Sequence, residues 1–308
     1  MSRELLNTDD LSLNDINRIF QKAREFYSHP NNLTTARYGE DIALCFWENS
    51  TRTRVSFELA AKHLNHRPMY LYAKHSSAEK GESLLDTLLT LYATGIRCFV
   101  VRHPQDQYYL NLMNDLPKDV VLINAGDGKQ GHPSQALLDV FTLQQNNVSL
   151  AGLKVLFVGD VAHSRVVRSN VKLMHKMQAQ CWAYVPEFLQ SKETIANLEY
   201  KDDLDQAIAT CDVVMMLRAQ DERWSEQVIA QHNLHTENKS YLKKYGLDKQ
   251  RLKLLRSNAF ILHPGPFRRN VEIDEVVLQD SRCLIWKQVK NGVFIRMAIF
   301  DTLLGGHT

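Results

Sequence analysis

The sequence predicts an α/β protein of two similar-sized domains, each a parallel sheet flanked by helices. One observation is the length of 308 residues, which suggests two domains of ordinary size. A second is that apolar runs of strand length alternate with segments whose apolar residues recur at helical spacing. The third is that this alternation starts again after Ala151-Gly152. Because such alternation is typical of parallel sheets covered on both faces, we expect one sheet in each half.

The first half of the chain contains four predicted strands, at residues 42–47, 68–73, 96–101 and 120–124. A capping-box-like sequence, Ser12-Leu13-Asn14-Asp15, starts a helix that we expect to end near Tyr27. Further helices are predicted at residues 55–64, 82–94, 105–116 and 133–145. The last of these begins with a proline, which the first turn of a helix tolerates.

The second half repeats the pattern. Its predicted strands are residues 153–158, 182–185, 213–217 and 259–262, and its predicted helices are residues 165–177, 192–198 and 204–209. Residues 219–256 are polar and irregular, so we expect loops mixed with short helices there. The last segment, residues 289–304, is apolar enough to form a docked terminal helix.

The composition excludes several classes of protein. The formal charge of +2 is too small for a broadly basic nucleic-acid binder, although it permits a local basic pocket. The N-terminus has no apolar signal core and no run reaches the length of a membrane span, so we expect a cytoplasmic protein without a membrane segment. The five cysteines are dispersed without metal-ligand spacing, so we expect buried free thiols and no metal site.

The turn after the first predicted strand has the composition of an anion site. Ser50-Thr51-Arg52-Thr53-Arg54 lies between a buried strand and a helix, where hydroxyls, guanidinium groups and the positive end of the helix dipole meet. The alternative is a capped surface helix, with Ser50 or Thr51 as the cap and Arg54 paired to Glu58.

Most of the other predicted strands end in comparable groups. Ligands of open parallel sheets bind beyond the carboxyl ends of the strands, so these groups are candidates for a site. They are Arg102-His103-Pro104, the glycine-rich stretch 124–128 leading to His132-Pro133-Ser134-Gln135, Gly159-Asp160 followed by Arg165, Arg218-Ala219-Gln220, and His263-Pro264-Gly265-Pro266.

Each of these groups has a simpler alternative. Arg102, Arg165 and Arg218 are each compatible with a surface cation, His132 with a helix cap, and Lys80 with a solvated loop. The motif His263-Pro264-Gly265-Pro266 is compatible with a rigid turn that includes a cis peptide bond. The recurrence of cations and exposed backbone at strand ends in both halves favours a site.

The motifs also disfavour two kinds of chemistry. The strand–turn–helix segment at Gly159 has one glycine where a dinucleotide fingerprint needs three. Neither a phosphate-binding P-loop nor a Gly-x-Ser-x-Gly nucleophile elbow occurs. The positive groups therefore indicate a small polyanion as the ligand.

Taken together, these motifs resemble the carbamoyltransferase family over nearly the whole chain, and within it the branch that uses aspartate. The most specific stretches are residues 50–58, 80–87 and 132–139, completed by Arg218-Ala219-Gln220 and His263-Pro264-Gly265-Pro266. The resemblance implies transfer of the carbamoyl group from carbamoyl phosphate to the α-amino group of L-aspartate, a step of pyrimidine synthesis, without a cofactor.

The resemblance also assigns residues to the two substrates. Carbamoyl phosphate is expected to contact Ser50, Thr51, Arg52, Thr53, Arg102, His132, Gln135 and the backbone around Gly265 and Pro266. Aspartate is expected to contact Lys80, Arg165, Arg218 and Gln220. Negative charge grows on the carbonyl oxygen and then on the departing phosphate, so Arg52, Thr53, Arg102 and His132 are the expected catalytic donors. The reaction needs no side-chain nucleophile, and a domain closure that expels water is expected.

The family's organisation implies a carbamoyl-phosphate-binding domain at residues 1–149, an aspartate-binding domain at 150–288, and a last helix at 289–308 that packs back on the first domain. The active site is expected in the cleft between the domains. The family forms homotrimers with shared active sites, so Ser76 and Lys80 are expected to reach the neighbouring subunit's site. Whether a regulatory or dihydroorotase chain also associates stays open.

Two alternative functions share some of these sequence features. Ornithine carbamoyltransferases share the Ser-Thr-Arg-Thr-Arg turn but have His-Cys-Leu-Pro in place of His263-Pro264-Gly265-Pro266, and a cationic acceptor would not favour Arg218 and Lys80. A non-catalytic anion-binding or scaffolding relative is the other alternative, and it is disfavoured by the presence of four residues: Arg52, His132, Lys80 and Arg218. Arg268 and Arg269 have no role in this interpretation.

Overall fold

The computed structural model describes residues 3–29, 39–72, 81–219 and 240–305. The chain divides into two compact units, one made of Met1–Phe141 with Val289–Thr308 and the other of Thr142–Gln288. Each unit contains a five-stranded sheet whose strand pairs are all parallel. Helices flank both sheets, so the predicted fold class of two α/β domains is confirmed.

The first unit has the strand order β1-β5-β4-β2-β3. Its strands are β1 (Glu4–Leu5), β2 (Asp41–Phe46), β3 (Arg67–Tyr72), β4 (Cys98–His103) and β5 (Val121–Asp127). Its helices are α1 (Leu13–Ser28), α2 (Thr51–His63), α3 (Leu84–Ala93) and α4 (Pro133–Gln145), the last of which runs on into the second unit. Strand β2 lies between β3 and β4, and Phe46 is in register with Arg102. This register brings the turn after β2 next to the end of β4.

The elements of the first unit follow the apolar pattern closely. Residues 42–46 of β2 are all buried, as expected for a strand covered on both faces. Helix α2 buries Phe57, Ala60 and Ala61, which recur at helical spacing. The predicted capping box of α1 is present: the Ser12 hydroxyl accepts a hydrogen bond from the Asp15 amide, and the Asp15 carboxylate accepts one from the Ser12 amide.

The second unit has the strand order β10-β9-β6-β7-β8. Its strands are β6 (Lys154–Val158), β7 (Gln180–Tyr184), β8 (Leu198–Tyr200), β9 (Val213–Met216) and β10 (Phe260–Leu262). Its helices are α5 (Arg165–Lys176), α6 (Leu204–Thr210), α7 (Ser240–Tyr245) and α8 (Lys249–Leu254). Because β9 lies between β6 and β10, the residues that follow these three strands emerge side by side at one edge.

The last helix, α9 (Ile285–Leu304), begins four residues before the predicted start at residue 289. From Val289 onward its residues group with the first unit. There Phe300 packs edge-to-face against Phe57, with the ring centroids 5.7 Å apart. Within the part of the chain that the structure describes, no helix is both long enough and apolar enough to cross a bilayer.

Two predicted helices are wrong, and both fail at a left-handed residue. Residues 192–198 form no helix, because Asn197 has a φ of 62° and the chain then enters strand β8. Residues 105–116 form only a short 3₁₀ helix, Tyr108–Asn111, preceded by Gln107 with a φ of 50°. Strands β1 and β8 were not predicted, because runs of two or three residues carry no periodic signal.

The predicted glycine-rich loop at residues 124–128 is largely strand. β5 continues to Asp127, and residues 121–127 are all buried. The loop proper therefore starts at Gly128, later than the composition indicates.

Candidate active site

The turn after β2 leaves the start of α2 without a side-chain cap. Ser50 is the N-cap residue in an extended conformation, but its hydroxyl makes no capping hydrogen bond. In α1, α3 and α5 the corresponding hydroxyls of Ser12, Ser83 and Ser164 each accept from an amide of the first turn. The Ser50 side chain therefore does not occupy the amide groups at the positive end of the α2 dipole. An anion site needs such amide groups to bind its ligand.

A contact between side chains joins this turn to the start of α4. The Thr53 hydroxyl lies 3.4 Å from Nε2 of His132, and both side chains are buried. His132 is placed by a tight turn in which the Asp127 amide donates to the Gly131 carbonyl. A Cβ atom at Gly131 would lie 2.7 Å from the Asp127 carboxylate, which accepts hydrogen bonds from the Asn124 side chain and the Gln107 amide, so a larger residue would disturb these bonds.

Arg102 approaches the same place from the end of β4. Its Nη1 donates to the Ala125 carbonyl at 3.1 Å, and its Nε lies 3.5 Å from the Glu48 carboxylate. The Arg102 carbonyl accepts from the Trp47 amide at 2.8 Å, which fixes β4 against the turn after β2. The first unit therefore brings Arg102 together with the Ser50–Arg54 turn and His132.

Behind His132 lies a buried polar layer that the sequence did not predict. The side-chain amide of Gln135 donates to the Asp139 carboxylate at 2.8 Å. Arg296, from α9, donates to the Ser134 hydroxyl at 3.2 Å, and its guanidinium lies 4.8 Å from the Phe57 ring centroid. The only sequence signal for Arg296 is a charged residue inside an otherwise apolar stretch of helix.

Burial lowers the pKa of Arg296 to about 9, with the charge of Arg102 acting in the same direction and that of Asp139 opposing it. At neutral pH the group therefore stays cationic. Arg296 and Arg102 therefore contribute two positive charges to this part of the first unit, accompanied by the carboxylates of Asp139 and Glu48.

In the second unit, the predicted residues follow three neighbouring strands. The Leu217 amide donates to the Val158 carbonyl at 2.9 Å, so the ends of β6 and β9 are held together. Gly159, with a φ of 127°, approaches Leu217 so closely that a Cβ atom would lie 3.2 Å from the leucine Cβ. Arg218 comes directly after Leu217, and Arg165 begins α5. Both arginines are half-buried.

The third of these strands, β10, leads into His263-Pro264-Gly265-Pro266. The turn contains a cis bond between Gly265 and Pro266, as considered from the sequence. The Gly265 amide donates to Nδ1 of His263 at 2.8 Å, which places the proton of the neutral imidazole on Nε2. The His263 amide donates to the Gln288 side chain at 3.0 Å, so the turn is fixed at both ends.

Three of the predicted site residues, Ser76, Lys80 and Gln220, lie outside the described residues. The others lie at or beyond the carboxyl ends of neighbouring strands within each unit: Ser50, Thr51, Arg52, Thr53, Arg102, His132 and Gln135 in the first, and Arg165, Arg218, Gly265 and Pro266 in the second.

The chemistry available at both groups is donation to oxyanions, through guanidinium, imidazole, hydroxyl and amide groups. The cysteines are poor nucleophiles. All five are free, four are buried, and burial raises the pKa of the Cys45 thiol to about 12. Among the described residues, no group of three or more His, Cys, Asp or Glu side chains is arranged to hold a metal ion.

Family models match both halves of the chain. Residues 3–145 match the carbamoyl-P binding domain of aspartate/ornithine carbamoyltransferases, and residues 151–303 match the Asp/Orn binding domain of the same family.

Individual proteins agree with these matches. The aspartate carbamoyltransferase catalytic subunit of Desulforamulus reducens is 42% identical over 309 residues, which cover 99% of this chain and 96% of that protein. The Trypanosoma cruzi aspartate transcarbamoylase, in complex with carbamoyl phosphate, is 26% identical with a TM-score of 0.82, covering 96% of this chain and 95% of that one. The ornithine carbamoyltransferase of Pyrococcus furiosus has the same fold at 24% identity, with a TM-score of 0.82 and coverage of 100% and 98%.

Proposed function

Because the chain belongs to the aspartate/ornithine carbamoyltransferase family, we propose that it transfers the carbamoyl group of carbamoyl phosphate to the α-amino group of L-aspartate. The products are N-carbamoyl-L-aspartate and phosphate, which places the reaction in pyrimidine synthesis. The single observation that supports aspartate as the acceptor is the 42% identity, over nearly the full length of both chains, to an aspartate carbamoyltransferase catalytic subunit.

The reaction forms one bond and breaks another. The neutral amine of aspartate attacks the carbonyl carbon, so a carbon–nitrogen bond forms and the carbonyl oxygen becomes negative. The carbon–oxygen bond to phosphate then breaks, and the proton that the nitrogen gives up leaves with the phosphate. Donors fixed before the reaction stabilise this growing charge more than they stabilise the ground state.

We assign most of the carbamoyl phosphate contacts to the first unit. The N-terminus of α2 with Ser50, Thr51 and Arg52 holds the phosphate, since helix N-termini and guanidinium groups bind such anions. Thr53, Arg102 and His132 donate to the oxygens on which charge develops. In support, Thr53 contacts His132, and Arg102 is held at the end of β4 by its hydrogen bond to the Ala125 carbonyl. The remaining expected contacts are Gln135 and the backbone of Gly265 and Pro266.

We assign the aspartate contacts to the second unit. Arg165 and Arg218 follow neighbouring strands, and two guanidinium groups match the two carboxylates of aspartate. Lys80 and Gln220 complete this set, with Ser76 and Lys80 supplied by the neighbouring subunit of a homotrimer. Cations at this position disfavour ornithine, whose side chain is itself cationic.

The division of the chain follows the same proposal. Residues 1–149 bind carbamoyl phosphate, residues 150–288 bind aspartate, and residues 289–308 return to the first domain. Four buried and one half-buried free cysteines support a reducing compartment such as the cytoplasm. A regulatory or dihydroorotase chain is a further candidate partner.

The test is a steady-state assay of the purified chain with carbamoyl phosphate and either L-aspartate or L-ornithine. We expect carbamoyl aspartate and phosphate in equal amounts, and no citrulline. Citrulline without carbamoyl aspartate would replace the proposal by ornithine carbamoyltransfer. Binding of carbamoyl phosphate without either product would indicate a non-catalytic relative.

A further inference from the structure

Arg268, which had no role in the sequence interpretation, contacts the loop that follows β9. Its Nη2 donates to the carbonyl of Ala219 at 3.0 Å. Ala219 directly follows Arg218 and is completely buried, in a cluster with Tyr241, Tyr245 and Val271. The guanidinium therefore fixes the backbone one residue after a proposed aspartate ligand.

The main chain of Arg268 contacts the turn that follows β10. Its amide donates to Oε1 of Glu272 at 2.6 Å, and Glu272 is completely buried. The same oxygen lies 3.5 Å from Nε2 of His263, the ring nitrogen that bears the proton. Nδ1 of His263 in turn accepts from the Gly265 amide at 2.8 Å.

These contacts form one continuous chain within the second unit, from Gly265 through His263, Glu272 and Arg268 to Ala219. It joins the turn expected to meet the carbamoyl group to the turn that presents Arg218. Oε1 of the buried Glu272 carboxylate accepts a hydrogen bond from the Arg268 amide and lies near the His263 imidazole, so polar contacts offset part of its desolvation. Three of its four links are hydrogen bonds of 2.6 to 3.0 Å, and two of these involve a charged group, which strengthens them.

We propose that Arg268 is a positioning residue that fixes the Arg218 turn relative to the Gly265–Pro266 turn, and so sets the geometry of the aspartate site. This inference rests on the proposed function. It concerns chiefly the acceptor, because the guanidinium donates to Ala219 beside Arg218, whereas the link toward the Gly265 turn runs through the main-chain amide of Arg268. Small displacements of a substrate-positioning group lower the rate strongly, so the guanidinium is expected to matter although it contacts no substrate.

The test replaces Arg268 by methionine, which keeps the aliphatic stem and removes the donors. The Arg268 amide and its bond to Glu272 remain in this variant. We expect the KM for aspartate to rise roughly tenfold, as for a lost hydrogen bond to a charged group, while the KM for carbamoyl phosphate changes less than about twofold. Arg268→Lys retains one donor without the planar fork, so its aspartate KM is expected between those of the parent and Arg268→Met.

Arg256→Met is the matched control. Arg256 also donates its Nη2 to a backbone carbonyl, that of Thr210 at 2.8 Å, but at the opposite, amino end of β9. It also pairs with Asp212 at 2.7 Å. We expect this variant to lose stability in urea without a change in either KM. If Arg256→Met raises the aspartate KM as much as Arg268→Met does, the effect is general destabilisation and the proposal is wrong.

A binding measurement separates this inference from the proposed function. Succinate has the two carboxylates of aspartate but no amine, so its dissociation constant with carbamoyl phosphate present reports the acceptor site without turnover. We expect Arg268→Met to weaken succinate roughly tenfold. An unchanged succinate affinity and aspartate KM, or equal losses for both substrates, would overturn the positioning role. Should Arg268→Met fail to fold, Arg268→Lys decides by the same two measurements. A parent chain that forms no carbamoyl aspartate but binds succinate would refute the function alone.

Discussion

The hydroxyl of Thr53 lies 3.4 Å from Nε2 of His132, although the two residues are 79 positions apart in the chain. This contact joins the first turn of α2 to the start of α4, and both side chains are buried. Two donors of the proposed carbamoyl phosphate site are thus held in place by the protein itself. Such preorganisation is what lets a donor stabilise developing charge without reorganising during the reaction.

His132→Asn removes the Nε2 atom that meets Thr53 while retaining a polar group near the Nδ1 position. We expect kcat for carbamoyl aspartate formation to fall about 10²- to 10³-fold, as when one donor to a developing oxyanion is lost. The check is steady-state kinetics with a circular dichroism melt to verify folding. His175→Asn alters an exposed histidine of α5 and should leave kcat unchanged. A His132→Asn enzyme with a near-normal kcat would remove this residue from the catalytic set.

Arg52→Ala should nearly abolish turnover, by about 10³-fold in kcat/KM, because a guanidinium at an uncapped helix N-terminus stabilises both bound phosphate and departing phosphate. Since Arg52 is exposed, the free energy of unfolding should change by less than about 0.5 kcal/mol. Both quantities are measurable on the same preparation. Lys62→Ala deletes a cation at the other end of α2 and should retain activity. If Arg52→Ala and Lys62→Ala lower kcat/KM by comparable factors, the effect is a nonspecific consequence of removing positive charge.

The strand-end motifs were predictable because each is a local sequence feature. Ser50-Thr51-Arg52-Thr53-Arg54 is contiguous in the sequence. The rule that ligands bind beyond the carboxyl ends of parallel strands then predicts that such motifs lie at one edge of the sheet. The residues that support these motifs were not predictable in the same way. Arg296 meets Ser134 from 162 positions away, and Arg268 meets Ala219 from 49. Contacts of that separation depend on tertiary packing, which neither spacing nor composition reports.

Arg296→Met tests the buried layer behind His132. It removes a buried cation that interacts favourably with Asp139 and donates to Ser134, leaving the carboxylate of Asp139 without that charge. We expect a loss of about 3 kcal/mol in the free energy of unfolding, measured by urea denaturation. Asp139→Asn in the same background should recover part of that loss, since the uncompensated charge disappears.

The control for this pair is Lys290→Met on the same helix. Lys290 lies over the Tyr27 ring at 4.7 Å and is exposed, so its loss should change the free energy of unfolding by less than about 0.5 kcal/mol. Fully additive effects of the Arg296 and Asp139 substitutions would contradict a coupled buried pair.

His66 should make the protein less stable in mild acid. Burial lowers the pKa of His66 to about 4, and its ring packs edge-to-face on Phe300. Between that value and the ordinary histidine pKa of about 6.5, the unfolded chain binds a proton that the native protein does not. The contribution of His66 to stability is therefore present above pH 6.5 and is lost as the pH falls toward 4.

His66→Phe removes this proton-linked loss while retaining a ring against Phe300. Urea unfolding at pH 7 and pH 5 should show a smaller decrease in the free energy of unfolding for this variant than for the parent. The difference between variant and parent is the relevant quantity, because it cancels the contribution of other titrating groups. Carboxylates such as Asp280, whose pKa is lowered from 3.8 by its hydrogen bond from Arg282, lose their contribution only at lower pH than this experiment uses. His63→Phe changes an exposed histidine of α2 and should keep the parent's decrease. If His66→Phe and the parent lose the same free energy between the two pH values, the buried imidazole is not a source of the acid sensitivity.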